Sequence, residues 1–211
     1  MNKGSTTVNK IAKFLREEIT YSKLKSGQHI KENDISKKFN VSRVPVREAF
    51  RILQSEGYIE VIPNRGSFVK TITYSEILEM AVLYQLLAPV MLEKAIPNYK
   101  DKTYIKAGSI LTKVESCTDF TKLGYLLWDY AKTIYGPCKM KYILGLFDDI
   151  YLHNIRSLNE VFEIKQKKNY DTTTHRKFLD LCRQNKTKEA IELWQMYLSK
   201  IQQILLKDKK K

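Results

Sequence analysis

Val8, Ile11, Ala12, Leu15 and Ile19 recur at the i, i+3, i+4, i+7, i+11 spacing of one helical face, which predicts an amphipathic helix from Thr7 to about Tyr21. Ser26-Gly27 breaks that period, and Glu32 to Phe39 resumes it with Ile35 and Phe39 one turn apart. After Asn40-Val41, Ser42 is a fresh N-cap for a third helix, with Val46, Ala49, Phe50 and Leu53 on one face. Pro45 falls in its first turn, where the missing N–H is harmless, and Gly57 ends it. Tyr58 to Ile62 and Ser67 to Ile72, joined by a Pro63-Asn64-Arg65-Gly66 turn, then predict a two-stranded hairpin. Three helices followed by a hairpin is the order of a winged helix-turn-helix.

Strand signals stop at Thr73, where Thr73-Tyr74-Ser75-Glu76 has the form of a capping box and opens a long apolar helix to about Ala95. Further helices are predicted over about 103–116, 119–135, 139–157, 159–168, 172–184 and 187–206, broken at Pro97, Cys117-Thr118, Gly136-Pro137, Asn169 and Asn185. The expectation is a mainly α chain of two domains. Residues 1–73 form the winged helix-turn-helix, and residues 74–211 an all-helical domain for effector binding and dimerisation.

Charge narrows the choice of partner. Lys and Arg number 37 against 23 Asp and Glu, a formal net charge of +14, which favours polyanions. Residues 1–73 and 74–211 are each net +7, so the shorter part carries about twice the charge density. Cys117, Cys138 and Cys182 are widely spaced and form no CxxC pair, so they suggest neither a disulfide framework nor a zinc site and read as core thiols. The N-terminal MNKGSTTVNK lacks an apolar signal core, and no stretch approaches the roughly 18 apolar residues of a membrane span. A cytoplasmic location and no membrane partner are expected.

On the third helix, Arg43, Arg47 and Arg51 stand at i, i+4 and i+8, in one row away from the apolar stripe. A ridge of guanidinium groups on a helix that enters the major groove suits guanine O6 and N7 and phosphate oxygens. Asn64, Arg65 and Gly66 at the hairpin tip would reach backbone phosphates or the minor groove. Ser42 would cap the helix and offer a hydroxyl to a phosphate, with Lys37 and Lys38 adding charge nearby.

The run Val41-Ser42-Arg43-Val44-Pro45-Val46-Arg47-Glu48-Ala49-Phe50, with Leu53, Glu56-Gly57 and Arg65-Gly66, closely resembles the GntR family of bacterial regulators. Ser26-Gly27-Gln28-His29-Ile30-Lys31-Glu32 resembles the stretch before that family's second helix, and the likeness covers roughly 5–73. It implies that Ser42, Arg43 and Arg47 stand where members read DNA, with Arg65 and Gly66 in the wing. Asn33 replaces an arginine that some members carry.

Residues 74–206 resemble the helical effector domain of the FadR subgroup, often called FCD, through Tyr130 to Gly136 and the hairpin from His175 to Leu198. Many such domains hold a divalent metal at positions occupied here by Leu127, Ala131, His175 and Tyr197. One candidate ligand of four remains, and a register shifted by two, onto Asp129 and Thr133, does no better, so no metal and no cofactor are expected. His153 and His175 read as packed or hydrogen-bonded histidines. Tyr84 and Ala88 replace the family's arginine and glutamate, which argues against a carboxylate effector held in the usual way. Tyr125, Trp128, Tyr130 and Tyr135 are either core aromatics or the lining of a pocket for another ligand, with Trp128, Tyr135 and His175 as the candidate pocket residues.

The favoured function is a dimeric, sequence-specific regulator of transcription, a repressor by family resemblance, which binds an inverted repeat in double-stranded DNA and answers to an unknown small effector. The alternative is a sequence-neutral DNA- or RNA-binding protein. No nucleophile with a base, phosphate loop or metal set supports an enzyme.

Overall fold

The first apolar stripe becomes the buried face of α1 (Lys3–Thr20), which packs against α3 (Arg43–Ser55) through Val46, Ala49, Phe50 and Leu53. Between them, α2 (Glu32–Phe39) buries Ile35 and ends at Asn40 in the left-handed conformation. Arg16 of α1 forks onto the Glu56 carboxylate just past α3, at 2.8 and 3.0 Å, and so ties the start of the unit to the end of its third helix. In this computed structural model residues 3–151, 155 and 170–208 are described. The chain divides into two units, Met1–Ile72 and Thr73–Lys211.

The first unit ends in an antiparallel sheet of three strands, ordered β1-β3-β2, from β1 (His29–Ile30), β2 (Ile59–Ile62) and β3 (Gly66–Val69). Ile59 pairs with Val69 and Ile62 with Gly66 in the expected hairpin, while His29 pairs with Phe68 and Ile30 with Ser67. The short β1 was not foreseen, and β3 stops at Val69, earlier than predicted. The architecture is a winged helix-turn-helix with a helical domain after it, as expected from the sequence.

The second unit opens with α4 (Tyr74–Ala95). The Thr73 hydroxyl accepts the Glu76 backbone N–H at 3.2 Å, and the Glu76 carboxylate accepts the Thr73 N–H at 2.7 Å. Then follow α5 (Asp101–Glu115), α6 (Phe120–Tyr135), α7 (described over 141–151), α8 (Thr173–Arg183) and α9 (Thr187–Asp208). Pro97 and Pro137, read as breaks, sit in one-turn 3₁₀ segments, Ile96–Asn98 and Gly136–Cys138. The predicted helix 159–168, the end of that over 139–157, and His153 lie outside the described residues. Helix α9 packs on α4 and α8, and Arg176 of α8 forks onto Glu115 of α5 at 2.7 and 2.8 Å. All three cysteines are free thiols, with Cys138 and Cys182 buried.

One expectation is corrected. The segment Tyr74–Asn98 has a mean hydropathy of 1.4 over 18 residues and is long enough to cross a membrane by length and composition, whereas no such stretch was anticipated. Ala88, Met91, Leu92 and Ala95 put one side of it in the core. Val82, Leu86 and Val90, flanked by Leu83, form an exposed apolar row on it.

Candidate functional site

The arginine row stands on the exposed face of α3, opposite the stripe that anchors the helix, because 3.6 residues per turn separates the two sets. Ser42 occupies the N-cap with extended backbone, but its side chain makes no cap hydrogen bond, so its hydroxyl stays at the exposed helix start, where the helix dipole favours an anion. Arg47 Nε lies 2.9 Å from a Glu32 carboxylate oxygen at the start of α2. Arg43 Nη2 reaches Asn33 Oδ1 at 3.4 Å. Two of the three arginines are therefore held by the first turn of α2. Arg51 is exposed on the same face. Lys38 sits over the Phe14 ring, 4.1 Å from its centroid, so its charge is partly taken up within the unit.

At the wing tip Asn64, Arg65 and Gly66 are exposed. Gly66 has φ +100°, a conformation that favours glycine, and a Cβ there would lie 2.7 Å from His29 Nε2, so the His29 ring would have to shift. His29 stacks on Phe68 with ring centroids 4.8 Å apart, and Arg65 lies above the same Phe68 ring at 5.7 Å. Strand β1 thus brings His29 against Phe68 and Gly66 of the hairpin.

Within the second unit, α4, α6, α8 and α9 leave a cavity of about 120 Å³. Leu127, Ala131, His175 and Tyr197, the four positions matched to the FCD metal ligands, all line it. They do not fit a metal. Leucine and alanine carry no donor, and burial pushes the Tyr197 phenol up to about 12 while its hydroxyl is engaged with that of Tyr170. Among the described residues no three of His, Cys, Asp and Glu come together. A zinc-like ion wants three or four such donors.

His175 is 2% exposed and ringed by Tyr130, Tyr170, Trp194 and Tyr197. Loss of hydration pushes its imidazole down to about 4, so it is neutral at pH 7. The Tyr130 hydroxyl donates to the His175 carbonyl at 3.2 Å, and the Trp194 indole N–H donates to the Tyr135 hydroxyl at 2.7 Å. Tyr84 also lines the cavity.

Of the candidate pocket residues, Tyr135 and His175 line the cavity and Trp128 does not. On α6 the inward face runs through Leu127, Tyr130, Ala131, Ile134 and Tyr135. Trp128 is turned about 100° from Leu127. Its indole N–H donates to Asp148 at 3.1 Å, and Lys132 lies over its ring at 3.3 Å. Tyr125 stacks edge-on against Trp128 and is likewise no part of the lining. Sequence reasoning missed Tyr84, Tyr151, Tyr170 and Trp194 as lining residues; the i, i+3 pair Trp194 and Tyr197 beside the metal position was the available signal.

Residues 7–69 match the family model described as bacterial regulatory proteins, gntR family. That match covers most of the N-terminal unit, which is similar to the DNA-binding part of that family. The chain is 36% identical over 77 residues to the HTH-type transcriptional repressor RspR of Escherichia coli, a match covering 36% of this chain and 34% of that protein. It is 30% identical over 156 residues to the gluconate operon transcriptional repressor of Bacillus subtilis, covering 71% of this chain and 62% of that protein. The matches thus span about a third of the first relative and under two thirds of the second. A GntR transcriptional regulator of a Rhodococcus species shares the fold, with a TM-score of 0.80 at 21% identity over 95% of this chain and 98% of that one. These relatives are transcriptional regulators, not enzymes.

Proposed function

We propose that the chain is a cytoplasmic, sequence-specific regulator of transcription, a repressor, in which residues 1–73 bind double-stranded DNA and residues 74–211 form an FCD-like domain for dimerisation and effector binding. The observation that carries this reading is the row Arg43, Arg47 and Arg51 on the exposed face of the third helix of a GntR-type winged helix. Arg43, Arg47 and Ser42 contact the major groove, Arg51 the adjoining backbone, and Asn64, Arg65 and Gly66 the flanking phosphates or minor groove. A sequence-neutral binder would need the charge but not an arginine row opposed to a buried stripe. Selection of bound sequences from a random DNA pool, with RNA as competitor, is the direct test: recovery of no motif, or equal binding of RNA, overturns the reading.

The wing supplies affinity more than discrimination. Arg65→Ala is expected to weaken operator and random DNA alike, and to lower the salt dependence of binding by about one phosphate contact. A loss confined to one base position would contradict a phosphate role for Arg65.

Two copies act together. At about 1–3 kcal/mol per good base contact, one winged helix falls short of the typical specific advantage of about 4–10 kcal/mol over random DNA, and two reach it. The exposed row Val82, Leu86 and Val90 on α4, with Leu86 64% accessible, is the apolar face suited to two-fold pairing. Leu86→Glu is expected to shift the protein from dimer to monomer in sedimentation and to abolish tight binding of an inverted repeat. A wild-type monomer bound to an asymmetric site would dispose of the dimer.

A further inference from the structure

Among the described residues of the second unit, two buried side-chain polar atoms have no hydrogen-bond partner, Tyr84 Oη and His175 Nδ1. Both residues line the same cavity, Tyr84 from α4 and His175 from α8. Buried polar groups are partnered in the great majority of cases, and an orphan reduces stability until something satisfies it. Two orphans on one cavity therefore describe what is meant to occupy it.

The lining also describes its charge. Among the described residues no Lys, Arg, Asp or Glu lines the cavity, and Gln202 is already engaged through its amide oxygen with Gln85 at 2.5 Å. An anion would be stripped of water with no cation to receive it, and a cation would find no carboxylate. Aromatic side chains, including Tyr130, Tyr135, Trp194 and Tyr197, form most of the remaining wall. Such walls favour a flat ring in stacked or edge-on packing. An apolar cavity of about 150 Å³ admits benzene, so about 120 Å³ with an opening suits a single ring.

We infer that this cavity binds a small, neutral, ring-sized molecule bearing a hydroxyl group, which hydrogen-bonds Tyr84 and His175. A hydroxyl both donates and accepts. It therefore takes the Tyr84 O–H as acceptor and meets Nδ1 in either neutral tautomer of His175. The inference supplies the chemical class of the effector in the regulator reading, rests on that reading only for the term effector, and stands on the cavity itself.

Phenol is the probe, titrated calorimetrically into the full-length protein at pH 7.5, with benzene, benzoate and zinc chloride as comparisons and thermal melting as a second readout. Phenol is expected to bind and raise the melting temperature, and benzene to bind about tenfold more weakly for want of the hydroxyl. Benzoate, of the same ring size but ionised, and zinc are expected not to bind. Tyr84→Phe and His175→Phe should each weaken phenol about tenfold and bring it toward benzene. Ala131→Leu, which fills the cavity from α6, should abolish binding of both rings, with circular dichroism checking that the helical unit is folded.

Equal binding of benzoate or zinc overturns the inference, as does undiminished phenol binding in both Phe variants. So does a wild-type protein that ignores phenol and shows only ordered water in the cavity in a crystal structure. Operator affinity measured without phenol tests the DNA reading separately. Phenol that binds as described but leaves operator affinity unchanged supports the site and counts against the effector role.

Discussion

Arg47→Ala is expected to lose about 1–3 kcal/mol of binding to a selected operator at each recognition helix, roughly 5- to 150-fold, and Arg43→Ala a similar amount, with both variants fully folded. The side chains project from the exposed face of α3, so truncation removes no core contact. The structure adds a second arm to this expectation. In the free protein the Arg47 guanidinium is held by Glu32 at 2.9 Å, so the proposed DNA contact would have to take it from that carboxylate. The Arg47 side chain is 60% accessible, so the pair itself contributes little, on the order of 0.2–1 kcal/mol. Its larger effect is to leave a negative charge close to the phosphates once the arginine turns to DNA. Glu32→Gln should therefore tighten binding to all DNA, more for random sequence than for operator, and so reduce discrimination. Gel-shift titrations against operator and random duplex at two salt concentrations measure both. Operator binding by Arg43→Ala and Arg47→Ala indistinguishable from wild type would remove α3 as the reading helix. A loss of affinity in Glu32→Gln would mean that Glu32 positions Arg47 in the complex instead of competing for it.

The largest loss of stability is expected from Trp194→Ala. Trp194 is 4% exposed, packs against Tyr130, His175, Phe178 and Tyr197, and donates its indole N–H to the Tyr135 hydroxyl. Truncating a buried tryptophan to alanine removes about 3–5 kcal/mol through lost transfer energy and the void left behind. That is a large fraction of the roughly 5–15 kcal/mol that holds an ordinary domain together. The void would join the existing cavity, since Trp194 is part of its wall, so the aromatic wall would also lose its shape for a ring. Urea denaturation followed by circular dichroism should show an early transition in Trp194→Ala, with Trp194→Phe intermediate. Because the chain has two units, the first unit should keep its own transition where the second has melted, and then bind DNA only as weakly as a single winged helix. A loss below about 1 kcal/mol would show that the core around α6, α8 and α9 recovers by collapse.

Much of the architecture was legible because it is written in local periodicity. The stripes of α1 and α3, the Thr73-Glu76 cap and the arginine row each depend on residues within a few turns of one another, and helical geometry alone puts them on one face. What the sequence could not carry were features made by residues far apart. Strand β1 has two residues, too few for any period, and exists because His29 and Ile30 find β3 some forty positions later. The Arg47–Glu32 pair needs the turn between α2 and α3 to bring the two helices together. Trp128 was taken for a pocket residue because aromatic character says nothing about direction, and only the packing of α6 turned Leu127 and Tyr130 inward and Trp128 toward Asp148. The cavity is the clearest case. It lies where side chains of α4, α6, α8 and α9 fail to meet, and a void belongs to no single helix. Sequence determined which residues are apolar, charged or free to turn; tertiary packing decided which of them face one another, because burial and hydrogen bonding are satisfied across elements and not along them.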